Sequence, residues 1–301
     1  MASHTVNSPN ILSLGDLLLD VVVRYDPEQG QADVGRDAVQ VLQGGSAANF
    51  AVHAARLGAQ VQFVTRVGAD WAGEMLVRSL SDEGVAAHVR TIDDEATGRV
   101  LAMVDARGHS RMWSYPGASS TLSAGDLKPE WFRDLDAFHL TGYSLLRDGP
   151  REAALRALEM ARMEGTAFCT LDPNPAHLIV DFGPDRFRRL VADLAFDALL
   201  PNLDEGKLLT GKESPDEIVS SLLEDAPIVV LTMGEEGCIA GQGSKRLHVP
   251  AEPAQPVDAT GAGDAFAAAF VVEYLGTRDP FAAARAAGRL AARVVSKLGA
   301  R

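Results

Sequence analysis

Short apolar runs alternate with amphipathic stretches along most of this chain, and the alternation restricts the folds open to it. The N-terminal part reads "NILSLG", a helical pattern over 46–57, "VQFVTRV", and a helical pattern over 72–83. The later order is "DAFHLTG", a helix over 150–164, "AFCTLD", a helix near 185–193, "DALLPN", another helix and "PIVVLT". Strands separated by helices form parallel βαβ units. The sequence therefore predicts an α/β fold with a doubly wound, mostly parallel sheet flanked by helices and ligands at the carboxyl ends of its strands.

Two intervals interrupt this alternation. Residues 17–43 and 98–115 contain strand-like runs and turn residues, with no helical pattern between them. Neither interval is long enough to fold alone. We expect them to form a small lid of inserted β-strands on a single domain that spans residues 1–301.

The composition excludes several classes of function. A net charge of −13 argues against binding to nucleic acid or to anionic membranes. No apolar run approaches the roughly 18 residues of a membrane span, and the N-terminus lacks the basic and apolar regions of a signal peptide. Cys169 and Cys238 lie in apolar runs without metal-ligand spacing, which predicts buried, reduced thiols. Together these features predict a soluble cytoplasmic protein.

The segment "PVDATGAGDAFAAAF", residues 256–270, places small residues where a helix begins. Gly261, Ala262 and Gly263 leave backbone N–H groups unhindered, and the start of a helix favours phosphate. Asp264 follows them. A carboxylate there can be a helix cap or a partner of the helix dipole. Alternatively, it takes the proton of a hydroxyl nucleophile while the N–H groups hold the transferred phosphoryl group.

Another glycine-rich segment resembles a nucleotide motif only in part. "GKLLTGKE", residues 206–213, has the G-x-x-x-x-G-K half of a P-loop but places Glu213 where Ser or Thr binds Mg²⁺. We interpret "NLDEGKLLTG" as a helix with Asn202 near its start and Gly211 as its terminator.

Seven short motifs in one order resemble the ribokinase-like carbohydrate kinases, also called the PfkB family. They are "GDLLLD" (15–20), "GGSAAN" (44–49), "RVGADWAG" (66–73), "DPN" (172–174), "NLDE" (202–205), "TMGEEG" (232–237) and the D-x-T-G-A-G-D frame over 258–264. The resemblance covers nearly the whole chain. It implies a ribokinase-like fold and a Mg²⁺-dependent kinase that moves the γ-phosphoryl group of ATP to a hydroxyl, expected to be primary, of a small sugar.

The resemblance also implies roles for individual residues. Asp264 is the general base, beside an anion hole made by Gly261, Ala262 and Gly263. The acceptor is bound by Asp16, Gly45 and Asn49. The nucleotide is bound by Asn202, Thr232, Gly234, Gly237 and Thr260. Glu205 binds Mg²⁺ through water, and a K⁺ ion is a further candidate cofactor, resting on Asp258 and Thr260.

Several of these residues also have a plainer structural interpretation. Asp16 and Asn49 are polar groups in apolar surroundings that capping or turn hydrogen bonds can satisfy. Glu205 is a first-turn helix acid, and the glycines of "TMGEEG" suit an ordinary β-turn.

The acceptor and the assembly are less constrained. A nucleoside kinase on the same scaffold is an alternative, with Trp71, Trp113 or Tyr115 stacking on the base under the lid. A 2-keto-3-deoxy sugar-acid kinase is another alternative. Family members with that activity tend to carry an arginine in the stretch that aligns with "SYPGAS" (114–119), and the absence of arginine there disfavours this alternative. In relatives the lid strands of two subunits pair, and the apolar "LLLDVVV" would otherwise leave an unprotected edge, so we expect a homodimer.

Overall fold

A computed structural model describes residues 8–25, 38–105, 110–163, 165, 167–297 and 299–301. In chain order the strands are β1 (Asn10–Leu14), β2 (Leu18–Tyr25), β3 (Val39–Gly44), β4 (Gln60–Gly68), β5 (Ala86–Ile92), β6 (Gly98–Asp105), β7 (Ser110–Tyr115), β8 (Ala137–Thr141), β9 (Phe168–Asp172), β10 (Ala198–Leu199), β11 (Ile228–Thr232), β12 (Cys238–Gln242) and β13 (Lys245–Val249). The helices are α1 (Ser46–Arg56), α2 (Trp71–Asp82), α3 (Gly142–Leu146), α4 (Asp148–Met163), α5 (Ala176–Phe182), α6 (Pro184–Leu194), α7 (Leu203–Thr210), α8 (Pro215–Leu222), α9 (Ala262–Thr277) and α10 (Pro280–Val295).

The predicted sheet is present. Within the described residues, nine strands lie in the order β13-β12-β11-β10-β9-β8-β1-β4-β5. Pairing is parallel from β11 through β5, and β12 and β13 add an antiparallel edge. Parallel strands need long crossovers, and the helices between the strands supply them. The prediction of a doubly wound, mostly parallel sheet is confirmed.

Helices cover both faces of this sheet, so its central strands are buried on both sides. Every residue of β8 and of β9 is buried, as expected for continuous apolar runs between two helical layers. One core includes Phe50 and Phe270, and the other, on the opposite face, includes Phe138 and Phe187. The sheet is therefore enclosed between two apolar cores, one on each face.

The two lid intervals pair with each other in a second sheet. Its order is β3-β2-β6-β7, four strands within the described part of the chain. β2 runs parallel to β6 from Leu18 opposite Gly98 to Tyr25 opposite Asp105, and β3 and β7 are antiparallel edges. Residues 26–37 and 106–109 of the predicted lid lie outside the described residues. That residues 1–301 form one domain stays a prediction.

Several local predictions can be compared with the structure. Helix ends differ from the predicted ones by one or two residues for α1, α2 and α4. Asn202 caps α7 by accepting the Glu205 N–H at 2.9 Å, and Gly211 ends that helix in the left-handed region, as predicted. Cys169 and Cys238 are buried and free. Among the described helices, none has the length and apolar character needed to cross a membrane.

Candidate active site

The first turns of α1 and α9 meet above the carboxyl ends of β1 and β9. Ser46 opens α1, and its Oγ donates to Oδ1 of Asp264, in the first turn of α9, at 2.5 Å. Asn174, two residues beyond β9, donates from Nδ2 to Ser46 Oγ at 2.9 Å and to Asp172 Oδ2 at 3.2 Å. This chain of polar contacts joins three elements that are far apart in sequence.

Asp264 is the central carboxylate of this cluster. It is 8% exposed, and its Oδ2 accepts the Asn49 Nδ2–H at 2.8 Å. Burial raises the pKa of Asp264 to about 6, although the hydrogen bonds from Ser46 and Asn49 oppose that rise. No side-chain cap bond closes the start of its own helix. Asp264 therefore directs its carboxylate to Ser46 and Asn49 and does not cap its own helix.

Other charged and titratable groups face Asp264 from the surrounding elements. These groups are Asp16, Asp20, Asp172, Tyr143 and Arg301. The acids disfavour a further negative charge, and Arg301 favours it.

The start of α9 has the geometry expected of an anion site. Gly261 adopts φ 75°, and a Cβ on it would lie 2.5 Å from Ala300 Cβ, so a larger residue does not fit. The Ala262 N–H already donates to Ala259 O at 3.3 Å. Among the described residues, no backbone partner accepts the N–H groups of Gly261 and Gly263. Within the described part of the chain, the predicted anion hole thus has two N–H donors without a partner and a third that is weakly engaged.

The predicted acceptor residues come together, and each is also held by the protein. Asp16 accepts the Ser46 N–H at 2.9 Å and the Ala47 N–H at 3.2 Å, which satisfies the start of α1. Gly45 adopts φ 99°, and a Cβ there would lie 2.4 Å from the Asp16 carbonyl oxygen. Asn49 is buried, with its amide bonded on both sides.

The structure also places at this site three residues to which the sequence analysis assigned no role: Ser46, Asn174 and Arg301. Ser46 and Asn174 lie inside the quoted "GGSAAN" and "DPN" motifs, so their position was available in the sequence. Arg301 had no such signal. Its Nε donates to Asn49 Oδ1 at 2.8 Å and its Nη2 donates to the Gly44 carbonyl at 2.9 Å.

Glu205 and Asp172 form a buried acidic pair. Glu205 accepts the Asn202 N–H at 2.9 Å and the Asn202 Nδ2–H at 2.8 Å, so it completes a capping box. Burial raises the pKa of both acids, and the charge of Glu205 raises that of Asp172 further. No group of three or more His, Cys, Asp or Glu side chains converges as a metal cluster in the described chain. The pair suits a cation that keeps most of its ligands as water and phosphate, as Mg²⁺ does.

Four of the five predicted nucleotide residues lie at or just beyond the ends of β10 and β11, and Thr260 lies in the loop before α9. Asn202 and Thr232 form a parallel bridge, which places the start of α7 beside the loop that follows β11. Gly234 and Gly237 have φ values of 60° and 88° in that loop. A Cβ on Gly237 would lie 2.0 Å from the Val249 carbonyl oxygen, so the loop packs closely against β13.

The predicted cation residues lie in the loop before α9. Asp258 accepts the N–H groups of Thr260 at 2.9 Å and of Gly299 at 3.0 Å. These bonds tie the loop to the C-terminal segment. Binding of K⁺ at Asp258 and Thr260 stays a prediction.

A pocket lies between the lid and the carboxyl edge of the central sheet. Leu18 and Ser114 line it from the lid, Asp16 lines it from the sheet, and Tyr143 and Arg147 line it from the α3 segment. Ser114 belongs to the "SYPGAS" stretch. The pocket therefore adjoins Asp16, one of the predicted acceptor residues.

The chain matches a family model and several known proteins over nearly its whole length. A family model described as pfkB family carbohydrate kinase matches residues 8–301. The chain belongs to that family. As a pfkB carbohydrate kinase, it is a phosphotransferase, and its relatives include sugar kinases of plants and bacteria.

Two curated relatives and one solved structure illustrate the similarity of this pfkB kinase to known proteins. Fructokinase-1 of Oryza sativa subsp. japonica is 31% identical over 87% of this chain and 81% of the relative. Ribokinase of Haemophilus influenzae is 30% identical over 95% of this chain and 92% of the relative. Adenosine kinase from Sinorhizobium meliloti superposes with a TM-score of 0.88 at 24% identity, covering 98% of this chain and 96% of the other, which shows a shared fold.

The raised pKa of Asp264 predicts how activity depends on pH. A pKa of about 6 means that the carboxylate is ionised above pH 6 and protonated below it. If Asp264 is the base, kcat/KM for the acceptor falls about tenfold for each pH unit below about 6, because kcat/KM reports the ionisation of the free enzyme. The measurement is kcat/KM for the acceptor against pH.

The variant Asp20→Asn distinguishes Asp264 from its neighbour Asp20, because burial raises the pKa of Asp20 to about 7. In this variant the acid limb, which is the fall in activity toward low pH, should stay near pH 6. An acid limb near pH 4 in the wild-type enzyme would contradict the prediction.

Proposed function

We propose that this pfkB kinase transfers the γ-phosphoryl group of ATP to a hydroxyl, expected to be primary, of a small sugar, with Asp264 as general base. The observation that carries the proposal is the position of Asp264: a buried carboxylate that Ser46 and Asn49 hold beside the free N–H groups of Gly261 and Gly263. An acceptor hydroxyl bound at this point would contact Asp264 as its base, and the transferred phosphoryl group would contact the N–H donors of Gly261 and Gly263.

The N–H groups at the start of α9 supply the electrostatic part of the reaction. Phosphoryl transfer leaves little covalent work to the protein, because catalysis consists of positioning and of stabilising the charge on the equatorial oxygens. Gly261 and Gly263 donate to that charge, and the dipole of the 16-residue helix α9 adds to it. Asp264 accepts the acceptor proton as the bond to phosphorus forms.

ATP and Mg²⁺ fit the other half of the site. Asn202, Thr232, Gly234 and Gly237 lie where the nucleotide would be held, and the buried Glu205 would bind the Mg²⁺ shell through water. Bound Mg²⁺ would neutralise charge on the nucleotide phosphates. Burial raises the pKa of Asp172 and of Glu205, and the charge of Glu205 raises the pKa of Asp172 further, so a bound cation would stabilise the ionised form of both carboxylates.

The lid favours a sugar over a nucleoside as acceptor. Neighbouring residues of a strand point to opposite faces, and Ser114 lines the pocket. Trp113 and Tyr115, two of the three aromatic residues that would stack on a base in the nucleoside alternative, are therefore on the other face of β7, where they are 54% and 46% exposed. Names of the curated relatives, fructokinase and ribokinase, agree with a sugar acceptor.

An ADP-release assay tests this proposal. Mg·ATP is offered with pentoses, ketohexoses, aldohexoses, 2-keto-3-deoxy sugar acids and nucleosides, each at several concentrations. We expect turnover with neutral sugars. Turnover confined to nucleosides or to sugar acids would replace the acceptor assignment, and ATP binding without turnover on any acceptor would overturn the catalytic one.

We also infer that two copies of the chain pair through the lid. Val41, Val21, Leu101 and Trp113 form one row across β3, β2, β6 and β7 on the face away from the pocket. Val41 is 49% exposed and Leu101 is 40% exposed. An apolar row of this kind on a sheet with free edges needs a cover, and a second lid supplies the same surface.

Substitution on β7 tests the pairing. Trp113→Glu places a charge in the apolar row, so we expect it to convert the dimer to a monomer in light scattering at working concentration. Met112→Glu is the matched control, because Met112 is 66% exposed on the same strand but points to the opposite face. A wild-type monomer, or equal dissociation of both variants, would contradict the inference.

A further inference from the structure

Arg147 brings a positive charge to the pocket between the lid and the central sheet. It is the residue between α3 and α4, and it lines the pocket together with Asp16 and Tyr143. Its side chain is half-buried, and its guanidinium carbon lies 6.0 Å from the centre of the Tyr143 ring. Arg147 is the only cation among the described residues that line this pocket.

The guanidinium of Arg147 lacks a protein partner. Its Nε is buried and has no hydrogen bond to any described residue. No described carboxylate lies within the 4.0 Å of an ion pair with it. By contrast, the Nε of Arg151 donates to the Leu145 carbonyl oxygen at 2.5 Å and its Nη1 donates to Asp148 Oδ1 at 2.7 Å. A cation withdrawn from water without a partner is costly, so a ligand that supplies an oxygen to Arg147 binds favourably.

The backbone that carries Arg147 is held on both sides. Its carbonyl oxygen accepts the Arg151 N–H at 3.1 Å. A Cβ on Gly149 would lie 2.3 Å from the Ser120 carbonyl oxygen, so the start of α4 packs closely against the segment that forms another wall of the pocket. An arginine on a fixed backbone loses less conformational entropy when it binds a ligand.

Two serine hydroxyls of the pocket have already used their protons. Ser119 and Ser120 each donate to the backbone carbonyl three residues earlier, at 2.8 Å and 2.7 Å. A serine hydroxyl has one proton, so both offer only lone pairs to a ligand, as does the ionised carboxylate of Asp16. Arg147 is the charged donor that complements these acceptors.

Asp16 connects the pocket to the catalytic cluster. Its Oδ2 accepts the Ser46 N–H at 2.9 Å, and the Ser46 hydroxyl donates to Asp264. Burial raises the pKa of Asp16, and the charge of Arg147 opposes that rise. An acceptor that places one hydroxyl at Asp264 and extends past Asp16 into the pocket would therefore present its other end to Arg147.

The charges of the pocket favour a neutral acceptor. Asp16 and Arg147 are the charged groups among the described lining residues, and their opposite signs leave no net charge. An anionic group at Arg147 would be opposed by the charge of Asp16. A neutral sugar can donate from one hydroxyl to Asp16 and accept from Arg147 with another oxygen.

We propose that Arg147 is a specificity-determining residue of the acceptor site, which donates to an oxygen of a neutral sugar at the end remote from the phosphorylated hydroxyl. The proposal rests on the sugar kinase function above. The residue between α3 and α4 thereby takes part in selecting the substrate, although none of the seven motifs includes it.

Kinetics of two variants test this role. In Arg147→Met we expect the acceptor KM to rise about tenfold or more, with kcat and the KM for ATP within about twofold of wild type, because a contact remote from the reacting bond stabilises ground and transition states alike. Arg147→Gln keeps amide donors without the charge, so its acceptor KM should be intermediate. Arg293→Met, a change at an exposed arginine of α10, is the control for lost charge and should keep the wild-type acceptor KM.

Two results of these kinetics would overturn the proposal. A lower kcat and melting temperature in Arg147→Met with an unchanged acceptor KM would show a purely structural role. Faster wild-type turnover of gluconate than of fructose or ribose, with Arg147→Gln as impaired as Arg147→Met, would show that Arg147 binds a carboxylate.

Monodeoxy derivatives of the best neutral acceptor locate the oxygen that Arg147 contacts. The wild-type enzyme should discriminate about tenfold or more in kcat/KM against one derivative that retains the phosphorylated hydroxyl. Arg147→Met should lose this discrimination and keep the discrimination against the other derivatives. Equal discrimination by both enzymes against every derivative would overturn the contact.

Calorimetric binding of fructose and ribose distinguishes failure of this proposal from failure of the kinase function. If the wild-type protein binds one of them without turnover, the kinase proposal fails, and weaker binding by Arg147→Met still supports the Arg147 contact. Equal affinity of both proteins would overturn that contact, even if the wild-type enzyme phosphorylates the sugar.

Discussion

Asp264→Asn should lower kcat at least ~10²-fold, the scale expected for loss of a general base. The amide is isosteric with the carboxylate and can still accept from Asn49, while the Ser46 hydroxyl can accept from its new NH₂ group. Fold and ATP affinity are therefore expected to persist. The measurement is kcat with saturating acceptor, together with ATP binding by calorimetry.

Asp204→Asn is the matched control for this substitution. Asp204 is also a first-turn helix acid, but it is exposed at the start of α7. We expect its kcat to stay within about twofold of the wild-type value, because an exposed first-turn acid contributes only dipole stabilisation. An Asp264→Asn enzyme as active as the control would disprove the assignment of the base.

Gly261→Ala should have the second largest effect. Its φ of 75° costs a residue with a Cβ about 1–2 kcal/mol, and the new Cβ would collide with Ala300 at 2.5 Å. Relief of the collision has to displace the first turn of α9, with its N–H donors and Asp264. We expect kcat to fall about 10²-fold, as for loss of one donor of an oxyanion hole.

Gly276→Ala provides the control in the same helix. A Cβ on Gly276 meets no atom within 4 Å, and the residue is helical, so alanine should raise the free energy of unfolding by about 0.5 kcal/mol. Urea unfolding and kcat are measured for both variants. If Gly261→Ala keeps wild-type kcat, the start of α9 is not the anion site.

The sequence predicted most of the fold because the signals are local. Continuous apolar runs at β8 and β9 can be buried only between two helical layers, and the helices between strands require parallel pairing. The lid intervals were recognised by the absence of helical patterns. Their pairing into one sheet, β2 beside β6, required the tertiary structure, because hydrophobic periodicity does not specify which distant strands meet.

The candidate site divides in a similar way. The resemblance of the motifs to the pfkB family indicated Asp264, the glycines before it and Asn49, whereas the residue types alone left capping and turn roles open. Only the tertiary structure decided what Asp264 contacts: Ser46 is 218 residues away in sequence. It alone revealed Arg301, 252 residues from Asn49, because a single arginine carries no periodic or spacing signal and gains its role only from the groups that folding brings to it.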